Sequence, residues 1–215
     1  MELSHPVEHG MRVYPGLPAP EVGAIETAAS VASGFRLTRV TLSGNSGTYL
    51  DAPFHRHPDA PDLATVPLET IAGVPGVVAE ATVGDDRRVE LHGDEAEWRG
   101  CALLISTGWD ERWGTSSYWE PGPCLAGAEL ARVVRGAPTL VGVDFWNIDD
   151  IEDPARPAHT RLLGAGVPIV EHLTGLKGLP GEFRFFAVPP PIVAGASFPV
   201  RAFAEVGRSG HVVSQ

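Results

Sequence analysis

Apolar residues in this chain fall in short blocks between polar and Gly- or Pro-rich stretches, and these blocks define its elements better than any long periodic run. Phe35–Ser43 is rich in apolar and β-branched residues, which predicts a strand running straight into the segment that follows. Val77–Val83 and Ala102–Thr107 are apolar runs bounded by Gly and charge, as buried strands are. Between them a short helix is predicted to begin near Asp94. In Cys124–Val134 the apolar residues Leu125, Ala128, Leu130, Ala131 and Val134 share one helical face, with Gly136 as a stop. Thr139–Trp146 reads as a strand, Asn147–Ala155 as an acidic loop, and Pro157–Leu163 as a short helix entered through Pro and ended by Gly164 and Gly166. Val167–Glu171, Phe183–Val188 and Val200–Val206 predict further strands. Leu3–Val7 and Tyr14–Gly16 are extended, because a residue before Pro is pushed out of the helical region. Strands outnumber helices without alternating strictly, so a simple doubly wound sheet is not expected. The expectation is an α/β domain with mixed β-sheets and few helices, spanning 1–215 as one unit.

Composition narrows the functional classes. A net charge of −11 argues against a nucleic-acid partner, since phosphate contacts need clustered Lys and Arg and the sixteen here are scattered. No apolar run approaches the roughly 20 residues needed to cross a bilayer, and the N-terminus lacks a charged segment leading into an apolar one, so a cytoplasmic, membrane-free protein is expected. Cys101 and Cys124 lack the spacing of a metal or redox pair and read as inert, reduced residues. There is no GxSxG elbow, P-loop or GxGxxG, which leaves serine-hydrolase and nucleotide-binding readings without a motif.

The chemistry is concentrated in Asn45-Ser46-Gly47-Thr48-Tyr49-Leu50-Asp51-Ala52-Pro53-Phe54-His55. This stretch resembles the HxGTHxDxPxH signature of the cyclase family that includes kynurenine formamidase and isatin hydrolase. Gly47, Thr48, Asp51, Pro53 and His55 match it, while Asn45 and Tyr49 stand where the family has its two signature His. Leu3-Ser4-His5-Pro6 with Tyr14-Pro15-Gly16, Ile105-Ser106-Thr107-Gly108, Val141-Gly142-Val143-Asp144 and Phe198-Pro199-Val200-Arg201-Ala202 look like further landmarks in the family's order, from about residue 3 to about residue 203. The resemblance implies a compact kynurenine formamidase/cyclase-like fold assembled as a homodimer or larger homo-oligomer. It also implies an enzyme acting on a cyclic or aromatic small molecule, by amide or lactone hydrolysis or by cyclisation or dehydration in a natural-product pathway.

Carried over by position, Asp51 is a metal ligand, and His159 and Glu171, twelve residues apart as in the family, are candidates for ligand or general-base roles. His55 takes the place of a catalytic His outside the metal shell. Asn45 offers a neutral carbonyl oxygen as a substitute ligand, and Tyr49 a phenol that ionises only near pKa 10. Loss of two imidazoles weakens a Zn or Mn site or removes it. Two mechanisms follow: a divalent cation on Asp51, His159 and Glu171 with His55 as proton shuttle, or metal-free acid/base work by Tyr49 and His55. A catalytically inactive small-molecule-binding protein that keeps the fold is the alternative from another class. Each residue also has a plainer reading: Asp51 as a turn residue, His159 as a cap, Glu171 as a strand-edge charge. His172, His9 and His92 read as structural or exposed, and His57 as solvated. Asp144, Asp149, Asp150, Glu152 and Asp153 lack calcium-loop spacing and read as a solvated loop. The aromatic stretch around Trp109, Trp113, Tyr118 and Trp119 fits either a pocket wall or a core or dimer contact.

Overall fold

The computed structural model describes residues 1–207. Its elements in chain order are β1 (Glu21–Ile25), α1 (Ala28–Ser33), β2 (Leu37–Thr41), β3 (Tyr49–Asp51), β4 (Ala72–Val83), β5 (Val89–Leu91), β6 (Ala102–Ser106), α2 (Gly127–Gly136), β7 (Leu140–Val143), α3 (Pro157–Gly164), β8 (Ile169–Glu171), β9 (Phe183–Phe186), β10 (Ser197–Pro199) and β11 (Phe203–Val206). One mixed sheet runs β10-β3-β8-β7-β6-β4-β9-β11, with β5 added along β4. The β4, β6, β7 and β8 pairings are parallel; β3, β9, β10 and β11 join antiparallel. The mixed α/β architecture with few helices is as expected. No described helix is long and apolar enough to cross a membrane.

Strand alternation divides the core in two. Leu104 of β6 and Val170 of β8 point into one cluster with Leu50, Ile71, Leu173 and Phe185. Leu103, Ile105, Val141, Val143 and Ile169 point the other way, into a cluster with Trp98, Phe145 and the buried faces of α2 and α3. The helices therefore cover one face of the parallel strands, and that face carries the site.

Several expected elements are displaced. The Phe35–Ser43 strand is corrected: β2 is limited to Leu37–Thr41, is exposed throughout, and pairs with β1 in a separate ribbon. Thr38, Arg39 and Thr41 give it too many polar positions for a central place, and the strand that enters the sheet is Tyr49–Asp51 of the signature itself. β1, α1 and β10 carry weak patterns and were not expected. The helix near Asp94 is a 3-10 turn over Glu95–Trp98, with the Asp94 side chain accepting from Ala96 N–H. α2 starts at Gly127 rather than Cys124, because Cys124 and Leu125 are tied into backbone hydrogen bonds with Arg87 and Ile148.

Candidate active site

In β3, alternation sends Leu50 into the first core cluster and turns Tyr49 and Asp51 to the helix-bearing face. The antiparallel register sets Tyr49 opposite Glu171 of β8, so all three side chains meet on that face. Just before β3, Gly47 takes a φ of +62°, which favours glycine, and an added Cβ there would lie 3.3 Å from the Val7 side chain. After Asp51, Pro53–His55 forms a 3-10 turn that presents His55, and α3 delivers His159 from above. Asp51 and Glu171 have no exposure and His159 has 6%. Together with Asn45, His55, Tyr14, Leu17, Arg56, Asn147 and Arg156 they line one cavity of about 250 Å³, room for a molecule built on one ring.

The hydrogen bonds fix each group. The Tyr49 hydroxyl donates to Glu171 Oε2, and Ile148 N–H donates to Glu171 Oε1 at 2.7 Å. Ser197 Oγ donates to Asp51 Oδ1 and lies 3.2 Å from His55 Nδ1. Having given its one proton to Asp51, Ser197 accepts from His55 Nδ1–H, which leaves Nε2 as the basic nitrogen. His159 Nδ1 lies 2.6 Å from Asp149 Oδ2, and Asp149 also accepts the Ala158 and His159 N–H groups at the start of α3. The reading of Asp149 and Asp144 as part of a solvated loop is corrected, since they are 2% and 1% exposed. Asp144 holds the Thr107 and Gly108 backbone N–H groups and the Thr107 hydroxyl. These buried donors, invisible in the local sequence, are what draw both carboxylates inward.

Electrostatics follows from the crowding. Burial opposes charge on His159, but Asp149, Asp51 and Glu171 outweigh it and push its pKa up to about 10. Burial pushes the Glu171 carboxyl up, while His159 pulls against it. Asp51 is held below the usual carboxylate range: burial works the other way, but His55, His159 and Ser197 prevail. Burial, then Glu171 and Asp51, lift the Tyr49 phenol well above 10, with the Asn45 amide opposing, so Tyr49 is a neutral donor near pH 7.

Asp149→Ala is expected to lower unfolding free energy by about 2–3 kcal/mol, because the α3 cap and the His159 anchor are lost together. Urea unfolding checks it; an unchanged midpoint contradicts the anchoring role.

The aromatic stretch lies behind the site and lines none of the cavity. Trp113, Tyr118 and Trp119 pack around His172, whose Nδ1 lies 2.8 Å from the Tyr118 hydroxyl. Burial, then the neighbouring His5, push His172 down to about 3, so it is a neutral packing group. His172 is thus structural, and His5 stacks on Trp113. His57 Nε2 lies 3.0 Å from the Thr160 carbonyl oxygen, on the outer side of α3.

The donor set fits a cation. Asp51 Oδ2 is buried with no hydrogen-bond partner, 3.6 Å from His159 Nε2, and His159 Nε2 is 3.7 Å from Glu171 Oε1. Donors around a four-coordinate ion bound at about 2.0–2.2 Å stand roughly 3.3–3.6 Å apart, and His159 Nε2 stands close to that separation from both Asp51 Oδ2 and Glu171 Oε1. Asp51, His55 and His159 offer donor atoms that all lie within 4.8 Å of one another, with His55 exposed at the mouth and Glu171 fully buried beyond His159 Nε2. Sequence reasoning brought together Asp51, Tyr49, His55, His159, Glu171 and Asn45, and all six line the cavity. It missed Asp149, Ser197, Asn147 and Arg156, which carry no motif, and gave Tyr14 of the Tyr14-Pro15-Gly16 landmark no place in the site.

The family model for Cyclase, described as "Putative cyclase", matches residues 1–150. The chain is 26% identical over 208 residues to a kynurenine formamidase of Geobacillus thermodenitrificans and 29% identical over 208 residues to one of Salinibacter ruber, in both cases covering 94% of this chain and 95% of the relative. The fold is similar to isatin hydrolase A from Labrenzia aggregata, with a TM-score of 0.80, 21% identity and coverage of 95% and 92% of the two chains. It is also similar to a protein described as a potential metal-dependent hydrolase with cyclase activity, with a TM-score of 0.72, 24% identity and coverage of 94% and 96%. With the family model matching well over half of its length, the chain belongs to the cyclase family.

Proposed function

We propose that the chain is a hydrolase that opens an amide or lactone bond in a small aromatic or cyclic molecule, with one divalent cation seated on Asp51, His159 and Glu171. The observation that carries this reading is the buried, unpartnered Asp51 Oδ2 facing His159 Nε2 at 3.6 Å on the floor of the cavity. The names of the relatives point to the same bond types on aromatic frames. Zn²⁺ or Mn²⁺ held there would polarise the scissile carbonyl and lower the pKa of a bound water towards about 7. His55 Nε2 takes the proton of the attacking water and returns it to the departing nitrogen or oxygen, so one C–O bond forms as the C–N or C–O ester bond breaks. Ser197 and Asp51 keep His55 in the tautomer that can do this. Asp149 aims His159 Nε2 at the cavity, as carboxylates behind ligating imidazoles do.

Asn45 and Tyr49 fit a one-ion site. Tyr49 puts a neutral O–H on Glu171 where the family signature has an imidazole, which orients the carboxylate and lets its other oxygen face His159. Tyr49→Phe keeps the ring packing and is expected to weaken ion affinity by about 10–100-fold, checked by competitive chelator titration. Abolished turnover with unchanged ion affinity would instead give the phenol the proton-transfer role.

The reading is tested on N-formyl anilines, isatin and aryl lactones with Zn²⁺ or Mn²⁺ supplied. Turnover of at least one class that falls with chelator is expected. Tight binding of such compounds with no turnover on any of them would mean a catalytically inactive binding protein.

A further inference from the structure

Among the described residues, the two arginines on the wall of the cavity make no ion pair with a carboxylate. Arg156, half-buried, places NH1 3.3 Å from Asn147 Oδ1 and 3.5 Å from the Asp150 carbonyl, and NH2 3.2 Å from the Tyr14 hydroxyl. Arg56, exposed at the mouth, donates to Thr160 Oγ1 and the Ala155 carbonyl. All five acceptors are neutral. Elsewhere the half-buried arginines are ion-paired: Arg87 with Asp150, Arg132 with Glu129 and Glu95. Two acids in the loop before Arg156 are already engaged, Asp150 by Arg87 and Asp153 by the Ala155 N–H. Arg156 also sits at φ +46°, a backbone region unfavourable to residues other than Gly, Asn or Asp. A strained position held by a charged side chain on a cavity wall is a reason to look for a function.

We propose that Arg156, assisted by Arg56, is an anion subsite, and that the substrate is a carboxylated aromatic amide or lactone whose carboxylate lies against these guanidinium groups while its scissile carbonyl faces His55 and His159. Asn147, the Asp150 carbonyl and Tyr14 hold NH1 and NH2 of Arg156 in place with neutral acceptors, none of which is a carboxylate, in a protein of net charge −11. A guanidinium recognises a carboxylate through paired N–H groups, which gives orientation as well as affinity. A cavity of about 250 Å³ lets one aromatic ring bridge the wall and the floor. The proposal deepens the hydrolase reading by naming its substrate class, and its binding arm does not depend on turnover.

The experiment uses two matched pairs: anthranilate against aniline for binding by calorimetry, and N-formylanthranilate against formanilide for kinetics. The wild-type protein is expected to bind anthranilate at least about 30-fold more tightly than aniline and to show a similar preference in kcat/KM, mainly through KM. Arg156→Gly, which suits the local φ, is expected to lower kcat/KM for N-formylanthranilate about 10-fold or more beyond any loss for formanilide, and Arg56→Ala to remove a smaller part of the preference. Equal affinity for the two ligands in the wild type, or an equal loss for both in the variants, overturns the proposal. Retained preference for anthranilate with no hydrolysis of either formamide overturns only the hydrolase reading, and equal hydrolysis of both overturns only the anion subsite.

Discussion

His159→Ala is expected to release the bound cation and lower kcat/KM by about 10³-fold or more. In the proposed site the imidazole would supply the one nitrogen donor between the oxygens of Asp51 and Glu171, and metal assistance in such sites is worth several kcal/mol. Its removal also leaves Asp51 and Glu171 buried without the imidazole between them, and Asp149 without its Nδ1 partner. Stability should fall as well, by about 1–3 kcal/mol, because buried charged acceptors lose their donor. Far-UV circular dichroism separates loss of site from loss of fold, and metal analysis with steady-state kinetics reads the effect. A variant that keeps both its ion and its turnover would remove His159 from the site.

His55→Ala is expected to behave differently. Turnover should drop by about 10²–10⁴-fold, the usual worth of a positioned general base, while the bound ion stays. The His55 side chain is 35% exposed and meets the pocket floor through Ser197 and at 3.8 Å from Asp51 Oδ1. Asp51 keeps its hydrogen bond from Ser197 in the variant, so ligand geometry and thermal midpoint should change little. The contrast between the two variants is the useful result: one loses ion and rate together, the other loses rate alone. Loss of the ion in His55→Ala would place His55 among the ligands, in the Asp51–His55–His159 grouping, and shift the proton-transfer role elsewhere.

What the sequence displayed was the face-defining part of this architecture. The runs at Ala102–Ser106, Leu140–Val143 and Ile169–Glu171 are apolar because their strands are covered on both faces, and so they read clearly. The signature gave Asp51 and His55, and the spacing of His159 and Glu171 followed from the resemblance. The strand at β2 was legible, but its exposure and its pairing with β1 were not, because an exposed strand and a buried one share β-branched residues. Asp149 looked like one acid among several in a polar loop; only the fold shows the α3 N-terminus and His159 Nδ1 meeting it. Ser197 is a lone hydroxyl far along the chain, tied to Asp51 by the β10–β3 register. Arg156 likewise gives no local signal, since its meaning depends on Tyr14, 142 residues away.

The central claim is one cation on Asp51, His159 and Glu171, and the direct measurement is metal content by mass spectrometry of protein purified without chelator, repeated after incubation with Zn²⁺ and with Mn²⁺. The account predicts about one tightly held ion per chain, lost in His159→Ala and retained in His55→Ala. No ion under any of these conditions would contradict it and leave the cavity to metal-free acid/base chemistry or to binding alone.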